Sequence, residues 1–343
     1  MKKNFKKIAS VIIAVGLMVG LVGCGNKNLG NEVKADADGL KTVRVGIMTG
    51  AADQYATFIG EEEGIFKKYG IKLETAEYAS GINTVDAIQN GTADTGLLAD
   101  FAAANRFGKT LHATNLAIFS ELCVSAPTDG GLYVDSKYAD NLESLNNSNG
   151  WVTKIGTVSE YYNWQAQTYI GVDPAKQNIV QSDSNQTNLA LAQTGDASAI
   201  VAYGAEGSKY EEIGWKLAAK ADDIGIRVGS YLITTSDFLK NNTELLADYL
   251  KALKESIDYI TENLDDAAVR VETKFGIKAE DFKKNWNSQK FRIGFTEEGA
   301  LQLDKLNEWA YTHGRYEEEY NIRDFIHTSA AEIAIPENVT IQK

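Results

Sequence analysis

Strand and helix patterns alternate along this chain from residue 42 onward, and this alternation constrains the fold more than any other feature of the sequence. The segment TVRVGIM (42–48) has the pattern of a strand, and the residues after it place apolar side chains at helical spacing. Further strand and helix patterns follow in turn through residue 126. Such alternation predicts an α/β fold in which a parallel sheet has helices on both faces.

A second series of the same kind begins after the turn-rich segment PTDGG (127–131). Its strand patterns include LYVDS (132–136) and TKIGTV (153–158), and a helix pattern follows Ser159. The segments 86–100 and 189–204 also share one plan, namely a helix that ends in glycine, a small polar loop and an apolar strand. We therefore expect two lobes of similar construction.

The last third of the chain contains one more strand pattern, at 227–236, and then mainly helices. Thr243 is predicted to cap a long helix, and Thr296 is predicted to cap a later one. This order assigns residues 42–128 to the first part of lobe 1, residues 129–226 to lobe 2 and residues 227–343 to the rest of lobe 1. The chain then crosses between the lobes near 126–131 and 222–230, which predicts a ligand cleft at the carboxyl ends of the strands.

The N-terminus has the features of a secretory signal. Four lysines, at positions 2, 3, 6 and 7, precede an apolar run from Val11 to Val22. That run is shorter than the ~20 residues that a membrane-spanning helix needs. Residues 1–23 are therefore predicted to be a cleaved signal peptide.

The four residues from Leu21 to Cys24 resemble the lipobox of bacterial lipoproteins. This resemblance implies that Cys24 becomes the first mature residue and carries a diacylglycerol, with palmitate as an added acyl chain. Residues 24–41 are rich in small and polar residues and are predicted to be a flexible tether. The expected location is the extracytoplasmic face of the cell membrane; the alternatives are an ordinary signal peptide, or a membrane anchor with an incidental cysteine.

The charge of the chain excludes one class of partner. The full chain has 34 basic and 47 acidic residues, and loss of the four lysines in residues 1–23 leaves a net charge of −17. An acidic surface repels nucleic acids and anionic headgroups. We therefore expect no nucleic-acid partner, and contact with the membrane through the lipid alone.

Two stretches resemble extracytoplasmic solute-binding proteins of ABC importers. These are GIFKKYGI (64–71) and AIQNGTADTG (87–96), and the similarity extends over roughly residues 42–260. The branch in question handles nitrate, sulfonates, taurine and a thiamine precursor (NMT1/THI5-like). The resemblance implies a type II periplasmic-binding-protein fold, with two lobes that each contain a mostly parallel sheet flanked by helices.

Signatures of catalysis and metal binding are absent from the sequence. The three histidines are far apart, and no HExxH, GxSxG or GxxxxGK[ST] motif occurs. Cys123 lies in an apolar run and is predicted to be a core residue. These features predict a protein that is not an enzyme and has neither a cofactor nor a metal site.

The turns after the predicted strands supply the candidate ligand-binding residues. These are Thr49, Asp53, Ser80, Asp100, Glu121, Ser159, Tyr161, Tyr162, Asn163 and Tyr203. Carboxylates accept hydrogen bonds from amines, and aromatic rings stack on planar groups or hold cations. The set therefore favours a planar heteroaromatic or amine-bearing solute, although backbone N–H groups at the helix start near Ser159 are also able to hold an anion.

Structural roles are the alternative for several of these residues. Asp53 and Ser159 are suited to cap helices, and Asp100 and Glu121, which are expected to follow strands, can also be solvated rim residues. Tyr161 and Tyr162 fit either the cleft or the core.

The predicted function is capture of a small polar solute by a membrane-anchored, monomeric binding protein that delivers it to the permease of an ABC importer. The alternatives are import of an alkanesulfonate, taurine or nitrate, or a surface-tethered sensor or enzyme on the same fold. The presence of permease and ATPase genes beside this one would separate transport from sensing.

Overall fold

We describe the protein from a computed structural model, which covers residues 30–113, 115–125 and 130–342. The predicted signal peptide, residues 1–23, and the predicted lipid-attachment site, Cys24, lie outside the described residues. Ordered structure begins before the first strand, because the backbone of residues 30–33 is hydrogen-bonded to Asn241 and Asn242. The tether predicted for residues 24–41 is therefore held against the body from Gly30 onward.

The described residues form eleven strands in two sheets. The strands are β1 (Lys41–Met48), β2 (Ile71–Tyr78), β3 (Thr95–Ala99), β4 (Leu116–Ser125), β5 (Gly130–Val134), β6 (Trp151–Thr153), β7 (Ile179–Gln181), β8 (Ala199–Tyr203), β9 (Lys216–Lys220), β10 (Val228–Thr235) and β11 (Gln289–Gly294). The first sheet has the order β11-β4-β10-β3-β1-β2, and the second has the order β7-β6-β8-β5-β9. We call the parts of the chain built on these sheets lobe 1 and lobe 2.

Both sheets are mixed, whereas mostly parallel sheets were expected. In lobe 1, β1 runs parallel to β2 and β3, but β10 is antiparallel to both β3 and β4. In lobe 2, β6 is parallel to β7 and β8, whereas β5 is antiparallel to β8 and β9. The reason is topological, since β5 and β10 are the strands by which the chain enters each lobe from the other, and they run in the reverse direction.

Fourteen α-helices surround these sheets in the described part of the chain. They are α1 (Ala52–Glu62), α2 (Ile65–Lys68), α3 (Gly81–Gln89), α4 (Asp100–Lys109), α5 (Val158–Tyr169), α6 (Asn185–Thr194), α7 (Gly204–Glu212), α8 (Ala221–Ile224), α9 (Ser236–Asn241), α10 (Thr243–Glu262), α11 (Leu264–Phe275), α12 (Ala279–Asn287), α13 (Glu297–Thr312) and α14 (Ser329–Ala334). The predicted internal repeat is present, because β3 and β8 end at the equivalent residues Ala99 and Tyr203 and each leads directly into a helix.

Of the four residues predicted to cap helices, three are not the N-cap in the structure. The N-cap of α1 is Ala51 rather than Asp53, and the N-cap of α10 is Asn242 rather than Thr243. Helix α5 begins at Val158, so Thr157 is its cap in place of Ser159. Thr296 does cap α13, since its hydroxyl accepts a hydrogen bond from Gly299 N at 3.0 Å.

Apolar clusters fill both faces of the first sheet. One face packs against α1 and α10, with Val45, Ile59 and Leu250 in its core. The other face packs against α3 and α4, with Leu98 and Phe107 in its core. Burial on both faces explains why the inner strands β3 and β4 are mainly apolar, whereas β2 at the edge of the sheet is largely exposed.

Helix α13 belongs to the cores of both lobes. Its residues Ala300 and Leu303 pack in the cluster of lobe 1 that contains α3 and α4. One to two turns later, Leu306 and Trp309 pack with Trp151 in the core of lobe 2. The helix therefore joins the lobes through buried side chains as well as through the two chain crossings.

Within the described ranges, no helix combines the length and the apolar character that crossing a bilayer requires.

Candidate functional site

The carboxyl ends of the parallel strands in the two lobes face one another. Strand β4 ends at Ser125 and β5 begins at Gly130, so the first crossing joins these edges. The second crossing leaves β9 at Lys220 and reaches β10 at Val228, again between the same two edges. The turns that follow β1, β2 and β3 in lobe 1, and β6, β7 and β8 in lobe 2, therefore border the space between the lobes.

The turn after β1 carries two predicted residues in different environments. Thr49 is exposed, and its N–H donates to the carbonyl of Tyr78 at 2.9 Å, which ties this turn to the end of β2. Asp53 is only 1% exposed, and its Oδ1 has no hydrogen-bond partner. Burial raises the pKa of Asp53 to about 7, although backbone N–H groups of Met48 and Gln54 oppose that rise. The turn thus has an exposed hydroxyl and a desolvated carboxyl beneath it.

Ser80 lies in the turn after β2, where it is partly exposed. Its hydroxyl donates to the side-chain oxygen of Asn83 at 2.7 Å, within the first turn of α3. The hydrogen bond to α3 thus fixes the Ser80 side chain in the turn that borders the space between the lobes.

Asp100 is the first residue of α4 and is fully buried at the second crossing. Its Oδ1 accepts from Phe101 N at 2.7 Å, and its Oδ2 accepts from Gly229 N at 2.8 Å. Burial raises its pKa to about 6, against the effect of these hydrogen bonds. Since both oxygens already have partners, the carboxylate holds β10 against α4 at the base of the cleft.

Glu121 lies inside β4, four residues before the strand ends, and not at the carboxyl end where it was expected. Its Oε2 accepts from the N–H of Thr296 at 2.7 Å and from the hydroxyl of Thr296 at 2.8 Å. The carboxylate thus supports the cap of α13 from within lobe 1. Burial raises its pKa.

The turn between β6 and α5 is closed by its own hydrogen bonds. The Ser159 hydroxyl accepts from Lys154 N at 2.8 Å, and Ser159 N donates to the Thr157 hydroxyl at 3.3 Å. Gly156 N donates to the carboxylate of Glu160 at 2.9 Å. These bonds use N–H groups that an anionic ligand would otherwise take.

The three consecutive residues Tyr161, Tyr162 and Asn163 are each 2% exposed. Tyr161 packs edge-on against Trp309, with ring centroids 5.4 Å apart. The hydroxyl of Tyr162 donates to the carbonyl of Arg227 at 2.7 Å, and the amide of Asn163 donates to the carbonyl of Val152 at 2.8 Å. These contacts are structural, and Tyr162 connects α5 to the second crossing.

Tyr203 and Glu206 lie together at the start of α7. Tyr203 is the N-cap of that helix, and Glu206 is in its first turn. Burial raises the pKa of Glu206, and the positive charge of Lys154 partly opposes the rise. Asp100 and Tyr162 both lie within electrostatic range of Tyr203, so the structure brings these three predicted residues to one place.

Lys154 and Glu206 are candidate site residues that sequence reasoning missed. The strand TKIGTV was expected to extend to Val158, whereas β6 ends at Thr153 and residues 154–157 form the turn. The error made Lys154 a strand residue, when it lies at the carboxyl edge and donates to the side chain of Asn185. The signal that was available is Gly156, because glycine within an apolar strand pattern favours a turn.

Six helices follow the turns that border the space between the lobes, and four of them carry an acid in their first turn. Asp53, Asp100, Glu160 and Glu206 occupy this position in α1, α4, α5 and α7, respectively. Helices α3 and α6 have no first-turn acid. An ionised carboxylate at a helix N-terminus offsets the positive end of the helix dipole, so these termini are poor sites for an anion, that of Asp53 only above about pH 7.

Comparisons with solved structures decide the fold. The chain matches the aliphatic sulphonate binding protein SsuA of Escherichia coli with a TM-score of 0.70, at 14% identity, over 83% of this chain and 97% of that one. It matches the nitrate-binding protein NrtA of Synechocystis PCC 6803 with a TM-score of 0.67, at 13% identity, over 88% and 91% of the two chains. The chain has the periplasmic-binding-protein fold. The predicted fold class is thereby confirmed.

Sequence comparisons agree with this binding-protein fold. Residues 133–267 match the family described as NMT1/THI5 like. A putative ABC transporter periplasmic binding protein of Brachyspira hyodysenteriae is 24% identical in an alignment of 280 positions that covers 78% of this chain and 78% of that protein. The resemblance predicted from the sequence motifs is confirmed.

Among the described residues, no group of three or more His, Cys, Asp or Glu side chains is arranged to hold a metal ion.

A groove of about 260 Å³ lies on lobe 2 between Tyr169, β9 and Asp223, and none of the predicted ligand-binding residues lines it.

Proposed function

We propose that this protein captures a small solute between its two lobes on the extracytoplasmic side of the membrane and delivers it, as a monomer, to the permease of an ABC importer. The observation that supports this function is the opposition of the carboxyl edges of two sheets, joined by two chain crossings. Ligands of open α/β sheets bind outside the carboxyl ends of the strands. The hinge about which the lobes close is assigned to the two crossings, near 126–131 and 222–230; residues 126–129 of the first crossing lie outside the described residues.

The proposed anchor is a diacylglycerol on Cys24. The support is the order of charged segment, apolar run and lipobox-like residues at the N-terminus. A double acyl chain holds a soluble body stably at a membrane, because each buried methylene contributes roughly 0.8 kcal/mol.

Replacing Cys24 by Ser is expected to abolish lipidation, and with it attachment of the mature protein to the membrane through acyl chains. The variant lacks the thiol that receives the lipid, so the precursor stays unprocessed or the protein is shed. Membrane fractionation and the intact mass measure this directly, with Cys123→Ser as the matched control, because that buried cysteine has no part in lipidation. An unchanged mass and an unchanged membrane fraction for the Cys24 variant would exclude a lipid at this residue.

The proposed ligand is a planar heteroaromatic or amine-bearing solute rather than nitrate or a simple alkanesulfonate. Four of the six helix N-termini at the cleft already contain an acid, which disfavours an anion there. The N–H groups of the turn before α5 are also engaged internally. Of the four acids, Asp100 and Glu160 are held by hydrogen bonds and an ion pair, whereas Glu206 has one weak contact, to Asn188 at 3.5 Å.

The proposed contacts come from both lobes. Lobe 1 contributes the turns that contain Thr49, Asp53 and Ser80, and lobe 2 contributes the turns that contain Ser159 and Tyr203. Glu206 is added to this set as the carboxylate that meets the donor group of the ligand, with the ring of Tyr203 beside it. Asp100, Glu121 and the run Tyr161–Asn163 are assigned to positioning these turns.

A thermal-shift panel tests the ligand class. Aminopyrimidines and other amine-bearing rings are expected to stabilise the protein, by about 2.7 kcal/mol at a hundredfold excess over Kd, whereas nitrate and methanesulfonate are not. For the compound that binds, Glu206→Gln is expected to weaken binding by about 10- to 150-fold, because a hydrogen bond to a charged group is lost. Calorimetry measures this change, with Glu212→Gln at the exposed end of the same helix as the control.

The ligand class is wrong if a sulfonate or nitrate stabilises the protein and Glu206→Gln binds it as well as the parent does. Burial raises the pKa of the Cys123 thiol to about 12, which disfavours this residue as a thiolate nucleophile. Turnover of the bound compound, followed by mass spectrometry, would favour an enzyme instead.

A further inference from the structure

The segment before β1 is fastened to lobe 1 at one place. The side-chain amide of Asn241 donates to the carbonyl of Gly30 at 2.6 Å, and that of Asn242 donates to the carbonyl of Asn31 at 2.9 Å. The side-chain oxygen of Asn242 accepts from Val33 N at 2.7 Å. Residues 30–33 are therefore bound by two neighbouring asparagines that lie more than 200 positions later in the chain. We call this contact the asparagine clamp.

Gly30 fits the clamp because it has no side chain. Its φ is +89°, in the region that favours glycine, and a Cβ there would lie 2.5 Å from the Cβ of Asp237. Val33 adds an apolar contact, since it packs against the main core of lobe 1. The docking therefore depends on shape as well as on hydrogen bonds.

The clamp lies at the pole of lobe 1 that is farthest from the cleft. Asn241 ends α9, which begins directly after the last residue of β10. Strand β10 is antiparallel to β3, so its carboxyl end is at the edge of the sheet opposite to the edge that borders the cleft. The chain enters the body from this far pole.

We propose that the asparagine clamp biases the orientation of the free body on the membrane, because it keeps the α9 pole of lobe 1 nearer to the lipid surface than lobe 2 is, until the protein docks on the permease. This inference rests on the proposed lipid at Cys24. Six residue steps separate Cys24 from Gly30, and an extended chain of that length spans at most about 20 Å. Without the clamp the link would extend to Lys41, and its span would reach about 60 Å.

Energy transfer to a lipid dye measures this orientation. A donor is attached to Lys240→Cys in α9 or to Gln193→Cys near the end of α6 in lobe 2; both sites are exposed, whereas Cys123 is buried. The full-length lipidated protein is placed in phosphatidylcholine vesicles with an acceptor on the headgroups. Transfer from position 240 is expected to exceed transfer from position 193 severalfold.

Gly30→Ala is the variant that releases the clamp, and Gly39→Ala is its matched control. Both glycines have positive φ, but an added Cβ at Gly39 meets nothing within 4 Å. Gly30→Ala is expected to remove the difference between the two donor positions, and Gly39→Ala is expected to keep it. Equal transfer from both positions in the parent, or a full difference in Gly30→Ala, would overturn the proposal.

Two measurements separate failure of the clamp from failure of the anchor. The intact mass of the same preparation reports whether Cys24 carries a lipid. Hydrogen exchange on the unlipidated Cys24→Ser chain tests the clamp alone, because the N–H of Val33 is protected only while it donates to Asn242. Gly30→Ala is expected to accelerate exchange at Val33 by about tenfold or more, since local opening then costs less free energy. Fast exchange at Val33 in the parent would show that the clamp does not hold the linker.

Discussion

Asp53→Asn is expected to make the free energy of unfolding less dependent on pH between pH 4 and pH 7. Burial raises the pKa of Asp53 from 3.8 to about 7 in the folded protein. Between these values the unfolded chain has lost the proton while the folded chain keeps it, so stability falls as pH rises. The full loss above pH 7 is about 4 kcal/mol, at 1.36 kcal/mol per pKa unit. The contribution of Asp53 to stability is greatest below pH 4, where both states are protonated.

Urea unfolding at pH 4, 5.5, 7 and 8 measures this effect. The Asn variant has no proton to lose, so it is expected to be more stable than the parent at pH 8 and similar to it at pH 4. Asp38→Asn changes an exposed acid and serves as the control. Its free energy of unfolding is expected to depend on pH as that of the parent does. A shallower slope remains in Asp53→Asn because burial also raises the pKa of Asp100, to about 6. Identical slopes for parent and Asp53→Asn would mean that Asp53 is ionised in the folded protein.

Trp309→Ala is expected to destabilise the protein by about 3–5 kcal/mol, the range for removal of a large buried aromatic side chain. The Trp309 ring lies between the lobes, 5.5 Å from Phe101 of α4 and 5.4 Å from Tyr161 of α5. It also stacks on His313, with centroids 4.1 Å apart. The loss of these contacts leaves a cavity where α13 joins the two cores, so the relative position of the lobes is expected to vary more as well.

Chemical denaturation gives the stability, and small-angle scattering gives the spread of lobe positions. Leu301→Ala is the matched control, because Leu301 lies on the same helix and is 56% exposed. Its effect is expected to stay within about 0.5 kcal/mol. A loss below 1 kcal/mol for Trp309→Ala, with an unchanged scattering profile, would show that α13 does not join the lobes in solution.

The elements of lobe 1 were largely predictable, because each has a strong local signal. Strands buried on both faces have mainly apolar sequences, as in β3 and β4, and α10 shows one apolar stripe over twenty residues. The strands β7, β9 and β11 were not predicted from the sequence. They are short or partly exposed, so their side chains do not record the pairing that makes them strands.

The candidate site was less predictable than the fold. The turns that border the cleft follow from strand order, so Thr49, Ser80 and Tyr203 were found from their positions after predicted strands. The acids were harder to assign, because the residue type does not reveal which hydrogen bonds it makes. Asp100 and Glu121 are both bonded to backbone N–H groups far away in the chain, at Gly229 and Thr296. Lys154 was not recognised as a candidate site residue, because the strand that corresponds to β6 was predicted to extend beyond its true end at Thr153.

The amino-acid sequence alone specified the α/β class, the two lobes with their two crossings and the resemblance to importer binding proteins, since these depend on local patterns and on their order. The tertiary structure alone decided which carboxylates keep free lone pairs, that α13 serves both cores and that residues 30–33 are clamped at the far pole of lobe 1. The physical reason is that a carboxylate, an asparagine or a tryptophan is locally the same whether it is solvated or buried. Its role is set by partners that folding brings from 100 or more residues away, such as Asn242 for Val33 and Gly229 for Asp100.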